Sequence, residues 1–158
     1  MTPVPRLAAA LVVTAALVAL SGCAVSDPSP SMDSEAAAER YEPVMDDVVA
    51  ALEQKYPDVA WSDDDETRVV ADGDRCTFVV GTQRGEPSLR EAAGGWDAVA
   101  DVIDPVITNH DLDSVSEQKL EGGWTGVASR DDSGATLDIS DKTYTLIELS
   151  VPVTDTDC

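Results

Sequence analysis

The chain has 158 residues, 31 of them acidic and 10 basic, which gives a formal net charge of −21 at pH 7. That length corresponds to one domain. The negative charge argues against a nucleic-acid partner and against contact of the domain with anionic lipid head groups, whereas a basic partner or a divalent cation is compatible with it. The alternative is that the charge only keeps the domain soluble. A 43% share of hydrophobic residues argues against disorder throughout the chain.

Residues 1–22 have the features of a secretory signal peptide. Arg6 is the only charged residue in this segment, and an apolar run covers residues 7–20. Those 14 residues are fewer than the roughly 20 that a transmembrane helix needs. A short basic stretch before an apolar core of this length is typical of a cleaved secretory signal. We therefore predict that residues 1–22 are removed from the mature protein.

The signal segment ends in Leu20-Ser21-Gly22-Cys23, which resembles the bacterial lipobox. The resemblance implies that the Cys23 thiol receives diacylglycerol and that a dedicated peptidase cuts before Cys23. It also implies a protein held on the extracytoplasmic face of the cell membrane by its lipid, with no other cofactor expected. The alternatives are an ordinary signal peptide with a chance cysteine and an uncleaved anchor, which the short apolar run disfavours.

Residues 23–33 are predicted to form the lipidated cysteine and a flexible tether. They are rich in serine and proline and offer little apolar surface to bury. Ten residues of mostly extended chain would lift the domain by roughly 30 Å. The remaining residues, 34–158, are predicted to form a single extracytoplasmic domain.

Two helices are predicted from apolar residues that recur every three or four positions. The first covers residues 34–55, and Pro43 indicates either a later start near Glu42 or a kink. The second begins near Trp96, and Pro105 is expected to end or kink it. The pair Pro87-Ser88 can start a short helical turn before it. The periodic residues are Tyr41, Met45, Val48, Leu52 and Tyr56 in the first helix, and Trp96, Val99, Ile103 and Ile107 in the second.

The strands predicted by alternation cover residues 67–71, 75–82, 113–120, 123–130, 135–139 and 143–153. The turn 72–74 joins the first two into a hairpin in which Cys76, Phe78 and Val80 share one face, and residues 62–66 are predicted to be an acidic loop. In the last strand Tyr144 and Glu148 lie on a face that we expect to be only partly covered. With two strands before the second helix and three or four after it, the fold class is α+β, a mostly antiparallel sheet of about five strands with two helices packed on one face.

The chain contains three cysteines. With Cys23 lipidated in an exported protein, Cys76 and Cys158 are expected to form a disulfide, the alternative being two unpaired thiols. Such a bridge would pin the tail after Pro152 against the first hairpin. It would close a loop of about 80 residues, worth about 4–5 kcal/mol in the chain-entropy model.

No dedicated metal site is predicted, although two acidic segments are weak candidates for calcium. Asp63, Asp64 and Asp65 form a run just before Glu66. Asn109, Asp111 and Asp113 alternate as the first ligands of a calcium loop do. The glycine and the closing glutamate of an EF-hand are missing there, because Ser114 and Leu120 occupy their positions.

No catalytic residue is predicted either. The chain has one histidine, His110, and lacks the Gly-x-Ser-x-Gly elbow and the glycine patterns of phosphate-binding loops. Trp61 and Trp124 are candidates for recognition, with a role in the core as the alternative. We therefore expect a protein that is not an enzyme.

The order of features is similar to that of small extracytoplasmic lipoproteins of actinobacteria, and loosely to LppA-type mycobacterial lipoproteins. The features are an alanine-rich signal ending at Cys23, a Ser/Pro/Asp tether, an early helix closing at Tyr56-Pro57, a strand with Cys76 and the terminal Cys158. The resemblance implies location and architecture, and transfers no site residue.

We predict a lipid-anchored binding or accessory module with an unidentified protein or small-molecule partner. A docking subunit of a membrane protein complex and, less favoured, a small envelope hydrolase are the alternatives. A ligand-binding module would have an apolar cavity between sheet and helices. A docking subunit would have an exposed aromatic patch, for example around Trp124, and a hydrolase would have a cleft with a perturbed carboxylate.

Overall fold

The computed structural model of the protein describes residues 29–158. The signal peptide, the lipobox residues Leu20, Ser21 and Gly22, and Cys23 lie outside these residues. The described residues form helices α1 (Ser34–Lys55), α2 (Leu89–Ala93) and α3 (Trp96–Thr108) and strands β1 (Ala60–Asp65), β2 (Arg68–Asp72), β3 (Arg75–Glu86), β4 (Ser116–Lys119), β5 (Thr125–Arg130), β6 (Thr136–Asp141) and β7 (Thr145–Val153).

Helix α1 begins where the sequence predicts. The Asp33 side chain caps it by accepting a 2.9 Å hydrogen bond from the Ala36 amide. The helix runs through Pro43 without ending, so the predicted start near Glu42 is wrong. Helix α3 likewise continues past Pro105 to Thr108. The predicted periodic residues are buried in both helices, apart from Tyr56, which is half-buried and caps the end of α1.

The strands form one antiparallel sheet in the order β1-β3-β7-β6-β5-β4, and β2 also pairs with β3. Strand β2 pairs with residues 75–79 and strand β1 with residues 82–86, so the two lie end to end along β3. The α+β class, the antiparallel sheet and the single disulfide are confirmed. The predicted count of about five strands is wrong, because the sheet has seven, and the described helices number three rather than two.

Strand β1 contains most of residues 62–66, for which the sequence predicts an acidic loop, so that prediction is wrong. Aspartate is disfavoured in strands, which is why the sequence Ser62-Asp63-Asp64-Asp65 suggests a loop. On an edge strand, however, the carboxylates stay in water while the backbone pairs with β3. Charged side chains on an edge also discourage pairing with another chain.

Helices α1 and α3 pack against one face of the sheet. Strand β7 alternates along its whole length: Thr145, Ile147, Leu149, Val151 and Val153 are buried, and the residues between them are half-buried. Strand β6 repeats the pattern with Leu137 and Ile139, which are fully buried. The core therefore lies between the two helices and this face, and the other face of the sheet remains partly exposed.

A bulge in β3 changes which of its residues face the core. Cys76 and Phe78 pair with buried residues of β7, but the register shifts between Val79 and Thr82. Gly81 sits in the bulge with φ 122°, a backbone conformation that other residues rarely adopt. The extra residue turns Thr82 and Arg84 to the face of the sheet opposite the helices, although Thr82 itself stays buried there.

Cys76 and Cys158 form a disulfide with a Cα–Cα distance of 5.9 Å. The two ends of the described chain meet close to it. The Thr154 amide donates a 2.8 Å hydrogen bond to the Met32 carbonyl, and the Ser34 amide and hydroxyl each donate 2.8 Å bonds to Asp155. The predicted tether is thus held by the domain at Met32, beside the end of β7.

Tyr41 links α1 to the turn between β5 and β6. It is fully buried, and its hydroxyl donates a 2.6 Å hydrogen bond to Asp131. Asp131 also accepts bonds from the amides of Ser133 and Ala135 and pairs with Arg40 at 3.3 Å. Burial, together with the bond to Asp131, raises the pKa of Tyr41 to about 12.

This pKa predicts a specific loss of stability at alkaline pH. Because the folded state disfavours the phenolate, the contribution of Tyr41 to the free energy of unfolding is constant below pH 10 and falls as the pH rises from about 10 towards 12. A pKa raised from 10.0 to about 12 corresponds to about 3 kcal/mol. Urea unfolding of wild type and Tyr41→Phe should show the stability difference changing by up to that amount above pH 10. A difference that is independent of pH would contradict this assignment.

Candidate recognition surface

The exposed face of the sheet is the candidate site, and we call it the open face. It is built from side chains that point away from α1 and α3. The register places two cross-strand rows on it: Arg84, Leu146, Ser140, Gly126 and Gln118 in one, and Thr82, Glu148, Asp138, Ala128 and Ser116 in the other.

Three side chains form a stack at one end of the open face. The Trp124 and Tyr144 rings meet edge to face, with centroids 5.2 Å apart and an interplanar angle of 83°. The Arg84 guanidinium lies 3.6 Å from the centroid of the Tyr144 ring, a cation–π geometry. All three side chains are half-buried, so each keeps surface for a partner. Tryptophan, tyrosine and arginine are the residue types that dominate binding energy at protein interfaces.

The stack is held in place by its neighbours. Glu86 binds the Arg84 guanidinium at 2.6 and 2.7 Å, and Asp64 lies 3.9 Å from it. The pKa of Arg84 is raised, chiefly by the hydrogen bond to Glu86. Two glycines with φ of 67° and 83° precede Trp124, and the Lys142 ammonium donates a 2.8 Å bond to the first of them, Gly122. The stack is therefore preorganised, which lowers the entropy cost of binding.

A pocket of about 280 Å³ lies on the open face. Leu120 and Leu146 supply apolar walls, and Asp138 and Glu148 supply two carboxylates. The Gln118 amide donates a 2.9 Å bond to Asp138, and the Thr82 hydroxyl donates a 3.4 Å bond to Glu148.

Position 126 requires a glycine, because the space beneath the side chains of β4 leaves no room for a Cβ atom. A Cβ atom at this position would lie 2.6 Å from the Ile139 carbonyl oxygen, 3.2 Å from Leu120 and 3.3 Å from the Gln118 amide. Because Gly126 has no Cβ atom, the Gln118 side chain can reach across β5 to Asp138. A larger groove of about 550 Å³ adjoins the pocket and shares Gln118 and Leu120 with it. Trp124 lines this groove and so connects it to the stack.

A buried polar cluster supports the site from the opposite side of the sheet. Asp141 accepts hydrogen bonds from the hydroxyls of Ser88 at 2.8 Å and Thr145 at 2.6 Å. Thr145 in turn accepts a 2.8 Å bond from the Leu89 amide. The cluster fixes α2 to the β6–β7 turn, next to Tyr144. Sequence reasoning missed it, although the buried alternation of β6 and β7 places both Asp141 and Thr145 at inward positions.

The structure separates the two tryptophans that the sequence singles out for recognition. Trp124 lies on the open face. Trp61 packs instead over Gly85, where a Cβ atom would lie 2.9 Å from the indole ring, and against the core. The Trp61 indole N–H is buried without a hydrogen-bond partner among the described residues. The position of Trp61 therefore supports a role in the core and not in recognition.

The acidic residues considered for calcium do not converge. Asp63 accepts a 2.6 Å bond from Gln83, Asp64 lies near Arg84, and Asp65 pairs with Arg68 at 2.7 Å. Asp111 follows α3 with a left-handed φ of 64°, and the Asp113 amide donates to Arg130. Within residues 29–158, no group of three or more potential ligands could hold a metal ion.

His110 lies on the helix side of the sheet, away from the stack. Its Nε2 atom is 2.9 Å from Asp47 and links α3 to α1. In the part of the chain that the structure describes, no helix is long and apolar enough to cross a membrane.

Two solved structures resemble this fold. A protein from Mycobacterium tuberculosis, provisionally described as the lipoprotein LppA, has a TM-score of 0.56 and 12% identity over 75% of this chain and 76% of that one. A DUF4853 family protein from Actinomyces odontolyticus has a TM-score of 0.57 and 13% identity over 84% of this chain and 76% of that one. At these identities the likeness shows the fold alone, and at that level it confirms the similarity to LppA. No family model and no curated protein matches the chain.

Proposed function

We propose that the protein is a lipoprotein of the cell envelope, anchored by lipid on Cys23, whose domain binds a protein partner through the open face. The lipobox at residues 20–23 and the fold shared with LppA support the anchoring. The observation that carries the binding role is the half-exposed stack of Trp124, Tyr144 and Arg84.

The extent of the open face favours a protein over a small-molecule ligand. The pocket of about 280 Å³ can receive one side chain, and the adjoining groove of about 550 Å³ and the aromatic stack extend the same surface beyond it. The space between the sheet and the helices is occupied by fully buried residues such as Ile103, Ile139 and Ile147. Both observations support the docking alternative, and we propose a non-enzymatic role.

The attachment point of the tether supports an orientation. The chain enters the domain at Met32, beside the end of β7, whereas Tyr144 directly precedes the start of β7 at Thr145. The nine residues of β7 span about 30 Å at roughly 3.3 Å each. In the proposed orientation the stack lies at the membrane-distal end of the domain, where it can contact a partner within the envelope.

The anchoring is tested by substituting the lipidation site. Cys23→Ala should abolish labelling by an alkyne fatty acid and leave an uncleaved or secreted precursor, because both proposed processing steps require the thiol. Ser26→Ala in the tether serves as the matched control and should be labelled normally. A Cys23→Ala protein that is fully processed and retained in the membrane would disprove the proposed anchor.

The binding role is tested with a substitution in the stack. The tagged lipoprotein, solubilised from membranes in mild detergent, should migrate on native gels partly as a higher-mass complex. Trp124→Ala should remove most of this species, as expected for an interface anchor worth about 2 kcal/mol or more. Gln54→Ala, on the exposed surface of α1, should leave it unchanged. A complex that is equally abundant in the Trp124→Ala protein, with both variants folded by circular dichroism, would contradict the proposal.

A further inference from the structure

We propose that the pocket of about 280 Å³ on the open face binds a lysine or arginine side chain of the partner protein. This inference rests on the proposed function and specifies the chemistry of the partner. It follows from the arrangement of the pocket carboxylates, the apolar walls and the charge of the chain.

The two carboxylates of the pocket face each other across neighbouring strands. Asp138 and Glu148 are directly paired in the β6–β7 register, which places their Cβ atoms about 4.5–5.5 Å apart. Like charges at directly opposite positions destabilise a sheet. A cation bound between them would relieve this repulsion.

Nothing in the described residues supplies such a cation. Both carboxylates accept hydrogen bonds from neutral donors, Gln118 to Asp138 and Thr82 to Glu148. Across residues 29–158, neither carboxylate takes part in an ion pair. Arg84 is the basic residue of the adjoining row, and its guanidinium is already engaged by Glu86 and Asp64.

The walls of the pocket fit the stem of a basic side chain. Leu120 and Leu146 line it together with the carboxylates. Lysine and arginine bury their methylene stems along apolar surface while the charged head stays with polar groups. A metal ion would use the carboxylates but not the leucine walls, and no group of three metal ligands occurs in the described part of the chain.

The net charge of the chain also favours a basic side chain as the occupant of the pocket. With a net charge of −21, the protein repels a second copy of itself and attracts a basic segment. The partner is therefore expected to carry lysine or arginine where it crosses the open face.

The test uses the mature lipoprotein in detergent micelles and pentalysine as the probe, at about 0.15 M salt. The combined substitution Asp138→Asn and Glu148→Gln keeps the shape of the pocket and its hydrogen-bond acceptors. The matched control, Asp46→Asn with Glu53→Gln, removes the same charge from exposed positions on α1. Titration calorimetry should show the pocket variant binding pentalysine at least about tenfold more weakly, because charge-assisted contacts are lost, and the control binding within about twofold of wild type.

Two results would overturn the inference. They are equal weakening in both variants and undiminished binding of fully acetylated pentalysine. If the double variant does not fold, Glu148→Gln alone is compared with Glu53→Gln by the same criteria.

The native-gel assay separates this inference from the proposed function. If Trp124→Ala removes the complex but Asp138→Asn with Glu148→Gln leaves it intact, the cationic contact is wrong and the docking role stands. If neither substitution affects the complex, the docking role itself is wrong.

Discussion

The structure depends on a sheet that is packed with helices on one face only. Helices α1 and α3 bury the inward residues of β7 and β6 against the core, and the opposite face must then be stable in water. It achieves this with a mixture of groups: charged residues paired or hydrogen-bonded across strands, aromatic rings with a polar edge, and short apolar stretches. A face of this composition is also suited to binding, because it combines amphipathic anchors with charge.

The termini determine how that face is presented. The disulfide between Cys76 and Cys158 and the bond from Thr154 to Met32 hold both ends of the described chain beside the end of β7. The aromatic stack lies before the start of the same strand. In the proposed lipoprotein, one rigid strand therefore separates the anchored end from the recognition end, and the position of the partner follows from the geometry of the domain.

Local patterns predicted the helices and the last strand, because burial repeats at fixed spacing within each element. Tyr41, Val48 and Leu52 in α1 and the alternation from Ile147 to Val153 are examples. The site depended on information that these patterns do not contain. Alternation from Cys76 to Val80 would place Thr82 and Arg84 in the core, and only the bulge at Gly81 turns them outward. The sequence indicated Trp124, but the contacts that unite it with Tyr144 and Arg84, and Asp138 with Glu148, arise from strand order and register.

The central claim is that the open face, rather than the helix face, meets the partner. Photo-crosslinking in intact cells tests it most directly, with a photoreactive phenylalanine analogue placed at Leu146 on the open face or at Gln54 on α1. The account predicts a discrete higher-mass product from position 146 and none from position 54. A product from position 54 alone, or the same product from both positions, would contradict it.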